Sequence, residues 1–438
     1  MNRYFYKFYE ILKYKRFDKL VFPGEIFTFL LESQYWDRQK LTEYQLNCLN
    51  ELLVYAKKSH FYNELYHDIN LPIGSLEEIK NIPVVAKDDL QRSFNSFATG
   101  EYLKNGYFGK SSGSTGNPTS IYLSPLAMAY RNASKSRFFS WWGFTQYDRW
   151  INFTAYPRTG STVNRLKDLL TPRLDIDIFT LNDTTVAELL KKIIDYKPKY
   201  FRGYVSALAS FGRLVNQKKL DISGLNLKAI IVTSEILYES DREFIESVFN
   251  CKVVNEYGAA EAGLFACECP EGGMHIQEES LFLFVDRDNE LVSTEFHNKL
   301  MPLINYKVGD KVVLAERKCK CGRELSLIES IEGRIGSDEL ITSDGRRLNY
   351  LFFDRMIKNL AKTKLWGQIK KFQVIQEGLT FTCYIVRMDH YNEHEIESYI
   401  ENYIKDGVGQ DVKVNFIYKD TIEPDKSGKY RIFKRVMT

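Results

Sequence analysis

The chain of 438 residues is 44% hydrophobic and 27% charged, the balance of an ordinary globular protein rather than of a disordered or collagen-like one. Its 60 Lys and Arg against 57 Asp and Glu leave a net charge of +3, which gives no electrostatic basis for gripping nucleic acid. No run approaches the roughly 18 consecutive apolar residues of a transmembrane segment, and the N-terminus lacks the continuous apolar stretch of a signal peptide, so a cytoplasmic location is expected.

Residues 1–20 interleave Arg3, Lys7, Lys13, Lys15, Arg16 and Lys19 with Tyr4, Phe5, Tyr6, Phe8 and Tyr9. The pattern predicts an amphipathic helix, either packed on its own domain or laid on a membrane surface or partner. Helical patterning continues through 41–59, and NIPVVAKDDL at 81–90 reads as a turn entering a capped helix. From Phe108 to about Val313 short apolar runs (RWINFTAY, YFRGY, AIIVTS, KVVNEYG) alternate with helical stretches (VAELLKKIIDY, REFIESVF), which predicts parallel βαβ units. The last part has another rhythm: a hairpin turning at Asp344-Gly345, a helix over 351–363, strands at 371–376 and 379–386 about Glu377-Gly378, a helix over 394–404 and a strand at 412–418. The fold class expected is therefore α/β, with a large domain at 1–335, a small α+β domain at 336–438 and a hinge near 333–340.

Two constellations carry chemistry. In Ser111-Ser112-Gly113-Ser114-Thr115-Gly116-Asn117-Pro118-Thr119, glycines let backbone N–H groups converge and hydroxyls add donors without bulk, so the segment can cradle a polyphosphate. It has no G-x-x-x-x-G-K-[ST] spacing, so it is not a Walker A loop; taken alone it is equally a generic Ser/Gly loop. The second constellation is built from the seven cysteines, which are too few and too odd in number for a disulfide scaffold. Four of them form the tight pairs Cys267/Cys269 and Cys319/Cys321, and His275 follows Cys269 by six residues. Thiolate and imidazole suit tetrahedral Zn²⁺, and Cys269, His275, Cys319 and Cys321 form a closed, structural set; free buried thiols are the alternative, and Cys267 is either a spare or a competitor of Cys269.

The segment S-S-G-S-T-G-x-P-T resembles the phosphate loop of adenylate-forming enzymes, the superfamily of acyl-CoA synthetases and peptide-synthetase adenylation domains. Glu256-Tyr257-Gly258-Ala259-Ala260-Glu261-Ala262-Gly263, Tyr306-Lys307-Val308-Gly309-Asp310 and Ser427-Gly428-Lys429 follow in that superfamily's order. The stretches at 60–65 and 79–90, GYVSAL and Cys319-Lys320-Cys321-Gly322-Arg323 are similar to the phenylacetate-CoA ligase and CapK-like capsular polysaccharide branch, and some relatives there share the Cys and His elements. The resemblance implies a large adenylate-forming domain with a small mobile lid. It implies activation of a carboxylic acid by ATP to an acyl-adenylate with loss of pyrophosphate, then transfer to CoA or to an amine or hydroxyl of a sugar or other small molecule.

By the same resemblance residues 111–116 with Ser234, Glu235, Tyr257, Gly258, Ala259 and Asp310 bind the nucleotide, Tyr257 packing on adenine and Asp310 accepting from the ribose hydroxyls. Glu261 holds Mg²⁺, Arg334 contacts the nucleotide near the hinge, and Lys429 is the lid lysine that stabilises the reacting phosphate. Three features depart from the pattern, one of them an extra residue between Arg334 and Asp338 relative to the usual G-R-x-D-D. Ala260 stands where relatives usually carry Ser or Thr, and Asn117 replaces a frequent Lys. These changes leave open a second reading, a non-catalytic nucleotide-binding or partner protein. Whether the chain forms a homodimer is not legible.

Overall fold

The computed structural model describes residues 23–100, 106–110, 119–145, 147–155, 172–235, 237–287, 289–333, 340–348, 351–360, 363, 365, 368–388, 391–422 and 432–436. The expected basic helix at 1–20 lies outside them. No helix among them is long and apolar enough to cross a membrane.

The described residues begin with helices α1 (Pro23–Ser33), α2 (Arg38–Ala56), α3 (His60–Leu65) and α4 (Lys87–Arg92). Asp37 caps α2 by accepting from Lys40 N at 2.8 Å, and the helix turns Leu41, Leu49, Leu52 and Leu53 inward at helical spacing. Asp89 reaches back to the Ala86 amide at 2.9 Å and so starts α4, the capped helix expected from NIPVVAKDDL. Just ahead of it, Val85 donates to Asn305 O and accepts from Lys307 N, both at 2.9 Å. That exchange ties the N-terminal helices to the strand carrying Asp310.

A hairpin of β1 (Tyr107–Lys110) and β2 (Ser120–Leu123) brackets residues 111–118 and leads into α5 (Pro125–Trp141). Ser124 caps α5 by accepting from Ala127 N at 3.1 Å, with Pro125 at the position where no amide is needed. Next come β3 (Trp150–Thr154), β4 (Arg173–Asp177), α6 (Val186–Tyr196), β5 (Tyr200–Gly203), α7 (Val205–Gln217), β6 (Ala229–Thr233), α8 (Glu239–Phe249) and β7 (Val253–Ala259). Then β8 (Gly263–Glu268), β9 (Met274–Ile276), β10 (Leu281–Val285), β11 (Glu290–Glu295), β12 (Tyr306–Leu314) and β13 (Leu327–Gly333) follow without a helix.

These strands form one 11-stranded sheet in the order β10-β11-β12-β13-β9-β8-β7-β6-β5-β3-β4. The run β4-β3-β5-β6-β7 is parallel, as the βαβ rhythm predicts. From β7 onward every pairing is antiparallel, which that reading did not foresee. The physical reason is connection length: only Ala260, Glu261 and Ala262 separate β7 from β8, and a parallel crossover needs a dozen or more residues. Apolar side chains cover both faces of the parallel part. Ile151, Phe153, Phe201, Ile230 and Val232 pack under the crossover helices, and Tyr200, Ala229, Ile231 and Val254 pack with Phe138 and Phe139 of α5.

The C-terminal unit comprises the two-stranded β14 (Leu340–Ile341) and β15 (Arg347–Leu348), α9 (Leu351–Leu360), β16 (Ile369–Glu377), β17 (Thr380–Arg387), α10 (Glu393–Val408), β18 (Lys413–Tyr418) and β19 (Phe433–Val436). Its sheet runs β18-β17-β16-β19, and Ile396, Ile400, Ile404 and Val408 of α10 pack into its core. The expected hairpin, helices and strands of this region are all present, with Gly345 at φ +79 supplying the turn. The unit meets the larger sheet beside β4. Arg355 makes a two-pronged ion pair with Asp177 at 2.7 and 2.8 Å, Arg346 donates to Leu181 O at 2.8 Å, and Phe352 meets Phe179 edge-on.

Candidate functional site

The end of β7 gathers most of the described residues expected to meet a nucleotide. The Tyr257 hydroxyl donates to Asp310 Oδ2 of β12 at 2.9 Å, so a residue pair 53 positions apart is joined directly. A Cβ on Gly258 would lie 2.5 Å from Gly263 O, so only glycine lets β7 and β8 approach this closely at the bulge. Glu261, in the turn between them, is 4% exposed and accepts from the Tyr306 hydroxyl at 3.1 Å. Asp310 is 8% exposed. Two carboxylates thus stand at one end of the sheet, each already accepting from a tyrosine.

Arg131 of α5 builds this turn, a role sequence reasoning missed. Its guanidinium donates to Ala260 O and Glu261 O at 3.0 Å and grips Glu295 of β11 at 2.6 and 2.8 Å. Ala260 therefore contributes its carbonyl to the turn. Ser234, at the end of β6, holds φ +70, a left-handed conformation uncommon for a residue with a side chain and typical of functional sites. Glu235 turns away from β7: its carboxylate accepts from Ser206 N at 2.7 Å and Ser206 Oγ at 3.0 Å, at the start of α7. Gly258 and Ala259 lie in β7 itself. The expected phosphate-loop residues Ser111, Ser112, Gly113, Ser114, Thr115 and Gly116, together with Arg334 and Lys429, lie outside the described residues.

The sulfur and imidazole donors form the second candidate site. One ligand atom from each of Cys269, His275, Cys319 and Cys321 falls in a group whose members all lie within 4.8 Å of one another. Cys269 Sγ is 3.6 Å from Cys319 Sγ, and His275 Nε2 is 3.1 Å from Cys321 Sγ. His275 Nδ1 lies 3.1 Å from Leu325 O; a carbonyl only accepts, so Nδ1 carries the proton and the Nε2 lone pair faces the sulfurs. Burial lowers the imidazole to about 4, which keeps it neutral at physiological pH. Burial pushes the Cys269 thiol up to about 12; at Cys321 burial is outweighed by the Arg323 amide and guanidinium, which lower it.

Space is reserved for this cluster. A Cβ on Gly273 would lie 2.6 Å from Cys319 Sγ and 3.3 Å from His275 Nε2. Cys267 is not in the group; it is fully buried within β8 in the aromatic cluster around Phe138 and Phe139. Three soft sulfurs with one neutral imidazole fit a four-coordinate zinc ion. Of the other described histidines, His60 and His67 are exposed beside Glu64 and Asp68, His394 is exposed on α10, and His297 is buried against the Tyr130 ring.

Residues 340–436 match the family described as the CapK C-terminal domain. Protein CapK of Staphylococcus aureus is 25% identical over 287 residues, a match spanning 63% of this chain and 63% of CapK. Two solved structures of a 2-hydroxyisobutyryl-CoA ligase superpose on nearly the whole chain. One, with 2-HIB-AMP and CoA in the thioesterification state, has TM-score 0.63 and 17% identity, covering 92% of this chain and 93% of its own. The other, in the postadenylation state with R3-HIB-AMP, has TM-score 0.60 and 16% identity, covering 92% and 91%. At such identity the likeness is one of fold. Residues 340–436 thus resemble the CapK C-terminal domain, and the chain as a whole has the fold of the 2-hydroxyisobutyryl-CoA ligase.

Proposed function

We propose that this chain activates a carboxylic acid with ATP and passes the acyl group to an acceptor. A carboxylate oxygen of the acid attacks the α-phosphorus, the bond to the pyrophosphate oxygen breaks, and acyl-adenylate and pyrophosphate result. The acceptor, the thiol of CoA or an amine or hydroxyl of a sugar or other small molecule, then displaces AMP. The observation that carries this reading is the meeting of Tyr257, Asp310, Glu261 and Tyr306 at one end of the sheet. Tyr257 and Asp310 hold adenine and ribose there, with Ser234, Glu235, Gly258 and Ala259 beside them and Ser111–Gly116 supplying the phosphate cradle.

Glu261 holds Mg²⁺, which screens phosphate charge when bound; a buried carboxylate oriented by the Tyr306 hydroxyl suits a hard cation. Lys429 and Arg334 act from the small domain and its connector, with the boundary between 335 and 336. Zinc on Cys269, His275, Cys319 and Cys321 is structural, because four protein ligands leave no open position. The resemblance of the sequence to the CapK-like capsular polysaccharide branch, with CapK itself 25% identical over 287 residues, favours a sugar-linked acceptor.

A pyrophosphate-release screen over carboxylic acids tests the reading, repeated with CoA, amines and sugars to identify the acceptor. Release that requires both ATP and one acid is expected. Nucleotide binding without release for any acid would overturn it in favour of a non-catalytic nucleotide-binding protein, the reading for which Ala260 and Asn117 argue.

A further inference from the structure

One row of polar side chains crosses the parallel strands on the face covered by α5. Cα pairing puts Asp175 beside Asn152, Asn152 beside Arg202, and Thr233 beside Glu256, spanning β4, β3, β5, β6 and β7. The row steps up by one pair at β6, where Arg202 is level with Ile231; the rest of this face is apolar, with Trp150, Tyr200, Ile231 and Val254. Arg202 forms a two-pronged ion pair with Glu256, Thr233 Oγ1 donates to Glu256 at 3.3 Å, and Asn152 donates to Asp175 at 2.9 Å. Arg173 binds Asp175 at 2.7 and 2.8 Å. Each of these acids is therefore matched by an arginine.

Lys135 of α5 is the charge left over. It sits above the row, with the rings of Phe139 and Trp150 at 5.3 and 5.7 Å from its ammonium. No carboxylate or carbonyl among the described residues bonds it. Burial first, and then the charge of Arg202, lower it to about 7 against the opposing charge of Glu256, which Arg202 already pairs. A half-buried ammonium walled by aromatic rings, next to two arginines, is a receptor for an anion.

Its position identifies the ligand. Glu256 precedes Tyr257 and Thr233 precedes Ser234, so the row lies one residue from the atoms assigned to the nucleotide, at the carboxyl ends of parallel strands where open α/β sheets bind ligands. We propose that Lys135, set beside the Arg202–Glu256 pair, binds a second anionic group on the acid, so that the substrate class is a carboxylic acid bearing a further carboxylate or phosphoryl group. The inference rests on the acid-activation reading above. One carboxylate reacts at the nucleotide; the distal anion pairs with Lys135, and the Arg202–Glu256 pair offers donors and acceptors to polar groups between them.

Matched acids test it: butanoate against succinate and 3-phosphonopropanoate, with the pentanoate and hexanoate analogues, assayed by ATP–pyrophosphate exchange in the wild type, Lys135→Met and Lys135→Arg. Calorimetry with the same acids reads binding independently of turnover. The diacids should exceed the monoacids in kcat/KM, and Lys135→Met should reduce that ratio roughly 30-fold or more, as for truncating one member of a buried charge pair. Lys135→Arg should restore part of it. The phosphonate arm decides which anion is preferred. Preference for the monoacids, or a ratio unmoved in folded Lys135→Met, overturns the inference and leaves acid activation standing. Absence of exchange with Lys135-dependent diacid binding supports the site and removes the activation reading. Neither exchange nor such binding overturns the inference.

Discussion

Gly273→Ala tests the zinc assignment through geometry rather than through a ligand. The added Cβ would meet Cys319 Sγ at 2.6 Å and His275 Nε2 at 3.3 Å. Restoring ordinary contact requires the sulfur to retreat by about 1 Å, whereas a metal site tolerates ligand distances within about 0.2 Å. Zinc affinity should therefore fall roughly 100-fold, the upper range for losing a group that merely orients a ligand. That is about 3 kcal/mol, and when zinc binds only the folded chain it is lost from folding stability at fixed, saturating zinc. Gly272→Ala is the control. Gly272 has φ +75, and a Cβ added there would meet nothing within 4 Å, so alanine strains the backbone by about 1 kcal/mol but spares the sulfurs. Competition against a chromophoric chelator measures affinity, and thermal unfolding with and without EDTA measures the coupling. Wild-type zinc affinity in Gly273→Ala, or a wild-type protein that carries no zinc and ignores EDTA, would refute the assignment.

Glu261→Gln keeps the side chain's size but weakens a hard-cation ligand, so pyrophosphate release should drop at low Mg²⁺ and recover partly at high Mg²⁺, read from a Mg²⁺ titration. Lys429→Ala should leave ATP binding nearly intact while acyl-adenylate formation falls by roughly 10²–10³; transfer from supplied acyl-adenylate should survive much better. Equal loss of both half-reactions would point to a damaged lid. Burial alone would raise Glu256, but Arg202 and Lys135 bring it from the ordinary 4.5 down to about 2. A depressed carboxyl stabilises the fold above its unfolded value, so on the order of 3 kcal/mol should be lost as pH falls from about 4.5 towards 2. Acid unfolding of Glu256→Gln, monitored by circular dichroism, should lack that component of the pH dependence.

What could be read before the fold was known depends on how far apart the cooperating residues lie in the sheet. The hairpin at Asp344-Gly345, the crossover strands and the capped helix at Lys87 are local, each set by a few neighbouring residues, and each is present. Two strands of the antiparallel half, β9 and β11, were illegible because they lack alternation: all of Met274–Ile276 and all of Val292–Glu295 are buried, so neither face reads as polar. The cysteine pairs announced themselves by spacing. Spacing did not separate Cys267 from Cys269; the difference is that β8 holds the first in an aromatic core, while the second enters the turn where its amide bonds Gly273 O.

Arg131, Lys135, Arg202 and Glu256 mark the other limit. A charge inside YFRGY and another inside KVVNEYG were visible anomalies in apolar runs, but strand order is needed to pair residues 54 positions apart across β6. Arg131 and Lys135 are one helical turn apart on α5, a helix whose sequence alone does not say which face meets the sheet. Once it docks, Arg131 fastens the turn that presents Glu261, and Lys135 sits over the row beginning at Glu256. One helix face therefore ties the turn proposed to hold the metal and phosphates to the surface proposed to read the acid. A register shift in α5 would disturb both together, and would also move Trp141, which meets the His275 ring edge-on, against the cysteine and histidine cluster.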